Sequence, residues 1–241
     1  MRAQPQFPNE QTGTGEFKRQ SDAFRHWVTE DGRSGYPAAA GRYHLYVSLA
    51  CPWAHRTIIV RALKGLTEVI GMTVVDPIRD DRGWAFRNGP GHSLDTTNGF
   101  HFLSEAYRAT DSNYHGRVTV PVLWDTVTKR IVTNSDDDLM RIFNGEFNRF
   151  TTSRLDLYPA ALRPQIDEMN DFVYERVNDG VYRAGFATSQ QVYERAARSV
   201  FVALDQLDTR LRDRRYLFGA QFVESDWRLF VTLLRFDAVY H

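Results

Sequence analysis

The first strong hydrophobic pattern along the chain is an apolar run at 43–48, which predicts a buried strand. A helical pattern follows at 52–65, and a second apolar run at 68–75 predicts another strand, so the three segments form a βαβ unit. Residues 76–117 show no regular period and include several glycines and aromatic side chains. A stretch of that length is expected to be an ordered, functional loop.

Two shorter strands are predicted next, at 118–125 and 129–133, and their spacing indicates a hairpin. Cap residues and carboxylates at 134–138 then favour the start of a helix, because the helix dipole favours negative charge at its N-terminus. The predicted order, β-α-β-β-β-α, is typical of a thioredoxin-like α/β domain.

The second half of the chain is predicted to be entirely helical. Apolar residues keep helical spacing in segments at 159–181, 188–212 and 224–239, and no strand pattern interrupts them. Thr188 and Gln191 have the spacing of a capping box at the start of the middle segment.

These patterns divide the chain into four parts. An N-terminal arm covers residues 1–40, with a short helical turn expected at 24–27. A thioredoxin-like domain follows at 41–145, then a polar linker at 146–157 and a helical C-terminal domain at 158–241. The predicted fold class is therefore an α/β thioredoxin-like N-terminal domain followed by an all-α C-terminal domain.

Composition restricts the class of partner. The 241 residues include 30 basic and 30 acidic side chains, so charge gives no reason to expect nucleic acid or an anionic membrane as a partner. No apolar run approaches the ~20 residues that span a bilayer, and the N-terminus lacks the apolar core of a signal peptide. A lone cysteine is typical of a reducing compartment, and we expect a cytoplasmic protein.

Cys51 lies where the first predicted strand passes into the first predicted helix. Pro52 suits the first helical position, so the helix is expected to begin beside the sulfur and to direct backbone N–H groups at it. A helix N-terminus, to which His55 or Arg56 can add positive charge, lowers the pKa of a cysteine and favours the nucleophilic thiolate. The motif is similar to a redox C-x-x-C in which Ala54 replaces the second cysteine.

Cys51 is the only cysteine in the sequence. Any disulfide formed during turnover therefore needs a second thiol from solution, which indicates monothiol exchange with a small thiol co-substrate. The alternative is an inert cysteine that packs as a small apolar side chain. The strand–Cys–Pro–helix context favours the reactive interpretation. No group of residues resembles a metal site.

Pro121, near the head of the third predicted strand, has two interpretations. It lies at an edge of the sheet, or it forms a cis peptide bond beside the cysteine. In the second case the backbone groups of Val120 are exposed and can pair with a peptide-like ligand.

Four segments resemble the glutathionyl-hydroquinone reductases, the Xi class of the glutathione transferases. They are GRYHLYVSLACPWAHR at 41–56, GRVTVPVLWD at 116–125, VNDGVYRAGFA at 177–187, and the segment from YLFG to RFD at 216–237. The resemblance extends from about residue 17 to residue 241. It implies the glutathione transferase fold and a homodimer.

By this resemblance the chain is an enzyme that uses glutathione as a co-substrate and no metal. Cys51 would attack the sulfur of a glutathionyl-hydroquinone or a related aromatic thioether, release the hydroquinone and retain the glutathionyl group as a mixed disulfide. A second glutathione would then resolve that disulfide. This chemistry uses a thiolate of low pKa and needs no second cysteine.

The resemblance also assigns residues of the site. It implies that Trp84 packs against glutathione and that Val120 forms backbone hydrogen bonds with it ahead of a cis Pro121. It further implies that Tyr182 donates a hydrogen bond to the substrate oxygen that becomes phenolic. Each has a structural alternative: Trp84 as a loop anchor, Pro121 as a strand-edge residue, and Tyr182 as a helix packing residue.

Two departures separate the chain from the family pattern. The family has Asn-Glu-Ser where this chain has Asn134, Ser135 and Asp136, and the Glu-Ser pair holds the γ-glutamyl end of glutathione. Ser135 and Asp136 keep one hydroxyl and one carboxylate in exchanged order. Either neighbouring groups compensate or glutathione binds less tightly. The chain also ends at residue 241, where relatives continue, so the helical domain appears shortened, and exposed apolar surface is expected there.

Two other functions remain open. An omega-like thioltransferase would remove glutathione from other mixed disulfides through the same Cys51 chemistry. A non-catalytic glutathione-fold binding protein is the other alternative, and a Cys51 pKa near or above the ordinary ~8.5, with no glutathione retention, would favour it.

Overall fold

A computed structural model describes residues 10–80 and 82–240 of the chain. They form two compact units, one of residues 22–156 and the other of residues 10–21 with 157–240. The predicted arm is thus divided at residue 22, and its residues 1–9 lie outside the described part of the chain, as does residue 241. The predicted fold class, an α/β unit and a helical unit, is confirmed.

The α/β unit is built on a four-stranded sheet in the order β2-β1-β3-β4. Its strands are β1 (Tyr43–Val47), β2 (Gly71–Val74), β3 (Val122–Asp125) and β4 (Arg130–Thr133). β1 runs parallel to β2 and antiparallel to β3, and β3 runs antiparallel to β4. Every residue of β3 is buried, as expected of a strand inside a sheet that is covered on both faces.

Three helices complete this unit: α1 (Pro52–Leu63), α2 (Leu103–Thr110) and α3 (Asp136–Gly145). α1 contacts α3, and α2 contacts β4. The sequence pattern missed α2 because no Ser, Thr, Asn or Asp precedes it. Its N-terminus is closed instead by Glu105, whose carboxylate accepts from the backbone N–H of His101 at 3.0 Å and of Phe102 at 2.9 Å.

The end of α1 explains why β2 begins later than the pattern predicted. Gly65 has φ of 67° and donates to the Ala62 carbonyl, and Leu66 donates to the Arg61 carbonyl, which together form a Schellman motif. The Arg61 guanidinium then donates to the carbonyl of Ile70 at 2.8 Å. Residues 68–70 are therefore held in a turn, and the strand starts at Gly71.

The helical turn expected at 24–27 is wrong, because this segment is extended beside β4. The His26 N–H donates to the Val132 carbonyl at 3.0 Å, and the Asn134 N–H donates to the Phe24 carbonyl at 3.1 Å. Part of the predicted arm is thus paired with the outer edge of β4, which satisfies edge groups that would otherwise face water.

The helical unit contains α4 (Arg163–Val173), α5 (Gly180–Gly185), α6 (Gln190–Leu211) and α7 (Glu224–Leu233). π-helical turns follow α4 and α7, at Tyr174–Asn178 and Phe236–Tyr240. An apolar core joins residues of several of these elements: Val173, Val177, Ala203, Leu207, Leu217 and Leu229. In the described parts of the chain, no helix is both long enough and apolar enough to cross a membrane.

The continuous helix predicted at 159–181 is interrupted at the first π-helical turn. Asn178 is buried there, and its side-chain amide donates to the Arg228 carbonyl at 2.8 Å and to the Thr232 hydroxyl at 2.7 Å. These partners lie in α7, which the local period around residue 178 does not reveal.

The N-cap of α6 is Ser189, one residue beyond the predicted Thr188. The Ser189 hydroxyl accepts from the Val192 N–H at 3.4 Å.

Candidate active site

Cys51 is the N-cap residue of α1, with extended backbone and Pro52 in the first turn. Its Sγ accepts from the Ala54 N–H at 3.5 Å, and the side chain is half-buried, so solvent reaches it. The predicted position of the cysteine at a strand-to-helix turn is therefore what the structure shows. A backbone N–H directed at the sulfur stabilises the thiolate, because an anion is a better acceptor than a thiol.

Val120 lies next to Cys51 at the start of β3. The Cys51 thiol donates to the Val120 carbonyl at 3.6 Å, and the Val120–Pro121 peptide bond is cis. β3 is a central strand of the sheet, so Pro121 precedes a central strand and is not on an edge strand. Of the predicted site residues, Cys51, Val120 and Pro121 are brought together.

The N-terminus of α3 supplies the second group of predicted residues. Ser135 is its buried N-cap, and the hydroxyl accepts from the Asp138 N–H at 3.3 Å. Asp136, in the first turn, accepts from Arg56 at 2.8 Å between Oδ2 and NH1. Because Arg56 is fully buried on α1, this ion pair ties the cysteine helix to the N-terminus of α3. The positive charge of Arg56 is therefore paired with carboxylates of α3.

Asp22 is a neighbour of this group that the sequence did not indicate. Asp22 is an exposed residue, but the groups close to its carboxyl remove part of its hydration, and this effect, followed by the negative charges of Asp136 and Asp137, raises the pKa of Asp22 to about 7. Hydrogen bonding to Ser135 and the charge of Arg25 act in the opposite direction. No local pattern could have found the raised pKa of Asp22, since the carboxylates that contribute to it, Asp136 and Asp137, lie more than a hundred residues along the chain.

Trp84 lies in the loop between β2 and α2. Its carbonyl accepts from the Leu103 N–H at 2.9 Å, so the start of α2 fixes its backbone. The side chain is half-buried, and the Arg79 guanidinium lies 5.0 Å from the ring centroid. This geometry agrees with both interpretations of Trp84, and its contact with glutathione stays a prediction.

Tyr182 belongs to the helical unit, on α5. Its ring stacks on Phe17 at 6.3 Å between centroids and lies 6.0 Å from Phe186 and 5.9 Å from Tyr240. The Arg19 guanidinium lies over the same ring, 4.5 Å from its centroid. Tyr182 is half-buried within this aromatic cluster. Its assignment to the substrate stays a prediction.

The arrangement within the α/β unit suits thiol–disulfide exchange. The sulfur of Cys51 is accessible and lies at a helix N-terminus. The Val120 carbonyl and the Asp136 carboxylate can accept hydrogen bonds from the N–H groups of a peptide-like thiol. In the described residues, no three side chains of His, Cys, Asp or Glu are grouped so as to hold a metal ion.

Comparison with known proteins identifies the family. The model of the glutathione S-transferase N-terminal domain matches residues 50–139, and that of the C-terminal domain matches residues 190–241. The glutathionyl-hydroquinone reductase YqjG of Escherichia coli is 48% identical over 94% of this chain and 71% of its own. The reductase PcpF of Sphingobium chlorophenolicum is 45% identical over the same shares. The Xi transferase of Phanerochaete chrysosporium superposes with a TM-score of 0.90 at 47% identity, covering 93% of this chain and 76% of that one.

The chain belongs to the Xi class of the glutathione transferases. A glutathione-bound structure of YqjG also superposes on this Xi-class chain, with a TM-score of 0.88 over 90% of the chain and 73% of YqjG. The family expected from the sequence is confirmed.

Proposed function

We propose that this Xi-class chain reduces glutathionyl-hydroquinones to hydroquinones, with glutathione as co-substrate. The observation that carries the proposal is the position of Cys51, a half-buried sulfur at the N-terminus of α1 with the Ala54 N–H directed at it. The names of YqjG and PcpF, both glutathionyl-hydroquinone reductases, support this substrate class.

The first half-reaction transfers a glutathionyl group to the protein. The Cys51 thiolate attacks the glutathionyl sulfur, so a sulfur–sulfur bond forms and the carbon–sulfur bond to the ring breaks. The thioether reacts as its keto tautomer, in which one hydroxyl proton has moved to the sulfur-bearing ring carbon, so the electron pair of the broken bond passes to the ring oxygen. That oxygen takes up one proton, and the free hydroquinone leaves. The ring is thereby reduced, and the two sulfurs are oxidised to a disulfide.

The second half-reaction regenerates the thiol. A second glutathione, as the thiolate, attacks the glutathionyl sulfur of the mixed disulfide and releases glutathione disulfide. Cys51 leaves as a thiolate, which the N-terminus of α1 stabilises again. Because Cys51 is the only cysteine in the sequence, a disulfide with it needs an external thiol.

Five residues are proposed to bind glutathione: Trp84, Val120, Pro121, Ser135 and Asp136. The contact between the Cys51 sulfur and the Val120 carbonyl supports placing a peptide-like thiol along Val120. The N-terminus of α3 suits an α-amino acid, because helix N–H groups attract its carboxylate while Asp136 attracts its ammonium group. Asp136 keeps its pair with Arg56, which fixes the direction of its carboxylate.

Tyr182 is proposed to donate a hydrogen bond to the departing hydroquinone. In the keto tautomer of the thioether, the electron pair of the breaking carbon–sulfur bond passes to the neighbouring carbonyl oxygen, where a phenol donor stabilises the developing charge. The aromatic side chains around Tyr182 support the proposal, since they hold the ring in one orientation.

The test measures the turnover of two substrates by one preparation of the protein. The substrates are glutathionyl-menadiol and a mixed disulfide between glutathione and a small thiol. We expect a higher kcat/KM for glutathionyl-menadiol, and loss of both activities in Cys51→Ser. Equal or better turnover of the mixed disulfide would favour the omega-like thioltransferase, which the accessible Cys51 also supports. Turnover that survives in Cys51→Ser would overturn both.

The finer assignments of partner and compartment are also proposals. Exposed apolar side chains on the helical unit, including Phe201, Phe230 and Leu234, support a homodimer. An accessible lone thiol supports a reducing, cytoplasmic location. Sedimentation of the purified chain at several concentrations tests the dimer, and a single monomeric species at all of them would contradict it.

A further inference from the structure

Arg19 places a permanent positive charge against Tyr182. It lies in the segment 10–21, which belongs to the helical unit. The Arg19 Nε donates to Oδ1 of Asp179, the residue before α5, at 2.8 Å. Its guanidinium carbon lies 4.5 Å from the centroid of the Tyr182 ring and 5.4 Å from that of Phe17. Arg19 is thus fixed at one end by an ion pair and packed at the other on the aromatic cluster.

Arg183 also approaches Asp179, at 3.6 Å, so two guanidinium groups share one carboxylate and the three side chains have a net positive charge of one. The side chains of Arg19 and Asp179 are only 18% and 12% exposed, so water and salt screen their charges weakly, whereas the Arg183 side chain is 42% exposed and its charge is screened more strongly.

The phenol groups nearby respond to the same charge. Burial by itself would lower the pKa of Arg19, but the charge of Asp179 and then the phenol groups of Tyr182 and Tyr174 raise it above its ordinary value. Attraction between a cation and a phenol oxygen is reciprocal. Negative charge that develops at the end of Tyr182 is therefore favoured by Arg19.

We propose that Arg19 is a positioning residue for the reductive step, an inference that rests on the proposed function. It holds the ring of Tyr182 and strengthens the hydrogen bond from the Tyr182 hydroxyl to the substrate oxygen where charge develops. The benefit is specific to aromatic thioethers, because their leaving group carries charge on a ring oxygen. A mixed disulfide, whose leaving group is a thiolate, gains nothing from it.

A purely structural role for Arg19 would be to fasten the segment 10–21. Other contacts already fasten it: the Gln11 side-chain amide donates to the Phe186 carbonyl at 2.8 Å, and the Thr188 N–H donates to the Gly15 carbonyl at 3.1 Å. Arg195 forms an ion pair with Glu16 on the same segment. The segment is therefore held at several points besides Arg19, and Arg195 offers a matched control.

The test uses Arg19→Gln, Arg19→Lys and Arg195→Gln, each in the wild-type and Tyr182→Phe backgrounds. The substrates are glutathionyl-hydroquinones with ring substituents that vary the acidity of the hydroquinone, together with one glutathione mixed disulfide. For Arg19→Gln we expect kcat on the hydroquinones to fall roughly tenfold with little change in KM. The loss should grow as the hydroquinone becomes less acidic, and Arg19→Lys should restore part of it.

The loss caused by Arg19→Gln should disappear in the Tyr182→Phe background, and turnover of the mixed disulfide should stay near the wild-type value. Arg195→Gln should leave kcat and KM unchanged for both substrate classes. Equal losses on both substrate classes, or a loss that persists without the Tyr182 hydroxyl, would overturn the inference while leaving the proposed function intact. Wild-type protein that never acts on hydroquinone thioethers would overturn the proposed function and the inference together. If Arg19→Gln does not fold, Arg19→Lys tests the inference through the same comparison of the two substrate classes in the wild-type and Tyr182→Phe backgrounds.

Discussion

At the residue scale, the chemistry depends on what surrounds one sulfur atom. The Ala54 N–H favours the thiolate of Cys51, whereas the Val120 carbonyl can accept only from the protonated thiol. When Cys51 ionises, its hydrogen bond to the Val120 carbonyl is lost and the hydrogen bond from the Ala54 N–H becomes stronger. The Val120 carbonyl is then available to accept from an N–H group of a ligand. Near this sulfur, carboxylates gather at the N-terminus of α3, and Asp22 is the one with a raised pKa.

Asp22 makes stability depend on pH. Its pKa is about 7 in the folded chain and 3.8 as the ordinary value, so between these pH values the folded state binds a proton that the unfolded state has lost. Stability from this group is present below about pH 4 and is lost as the pH rises through 7. Asp22→Asn should therefore flatten the fall in Tm between pH 4.5 and 7.5, measured at low salt.

Asp31→Asn is the matched control for that measurement. Asp31 is exposed on the neighbouring segment, and the hydrogen bond from the Arg33 backbone lowers its pKa, so its replacement should not flatten the profile. An unchanged slope in Asp22→Asn would contradict the assigned cause.

At the scale of elements, α1 and α3 form a single supporting structure for the site. Arg56 on α1 has 1% of its side chain exposed and pairs with Asp136 at 2.8 Å and Asp137 at 3.7 Å on α3. Local signals predicted α1 and the start of α3 well, because the Pro52 and Ser135 caps adjoin the elements they begin. They missed the ion pair, whose partners are eighty residues apart in sequence.

Removal of Arg56 should be costly because it leaves Asp136 and Asp137 without their buried counter-charge. We expect Arg56→Met to lower the free energy of unfolding by about 3 kcal/mol, measured by urea denaturation. The double variant with Asp136→Asn should recover part of that loss. A change below about 1 kcal/mol in Arg56→Met would contradict the structural role of the pair.

The helix predicted across 159–181 is confirmed over most of its length, but its π-helical turn at Tyr174–Asn178 was missed for a similar reason. Local period indicated helix throughout, but the buried hydrogen bonds of Asn178 to α7 select a π-helical turn instead. α2 was missed because its cap, Glu105, lies inside the helix. Sequence therefore predicts elements that begin at a recognisable cap residue, and it fails where the cap lies inside the helix, as in α2, or where partners come from distant elements, as for Asn178.

Asn178→Ala should destabilise the helical unit. The substitution removes two hydrogen bonds, so the Arg228 carbonyl and the Thr232 hydroxyl both lose the buried amide that donates to them. We expect the free energy of unfolding to fall by roughly 2–4 kcal/mol. Asn113→Ala, at an exposed turn, is the control and should change the free energy of unfolding little. Equal stability of the two variants would show that the Asn178 contacts do not hold the turn.

At the scale of the whole molecule, a lone cysteine determines the order of events. Because the chain has no second thiol, the hydroquinone must leave before the second glutathione reacts at the same sulfur. Family membership, by contrast, was predictable from the sequence, since long segments around Cys51, Val120 and Tyr182 carry it.

Steady-state kinetics should therefore be ping-pong. Initial rates measured over a grid of glutathionyl-menadiol and glutathione concentrations should give parallel lines in double-reciprocal plots. Intersecting lines would indicate that both substrates are bound together before any product leaves, contrary to the proposed order.

The most direct test of the central claim is the intact mass of the protein after incubation with glutathionyl-menadiol in the absence of free glutathione. The account predicts an increment of one glutathionyl group, located on Cys51, lost on addition of glutathione and absent from Cys51→Ser. No increment on Cys51 while menadiol is released, or an increment on Cys51→Ser, would contradict it.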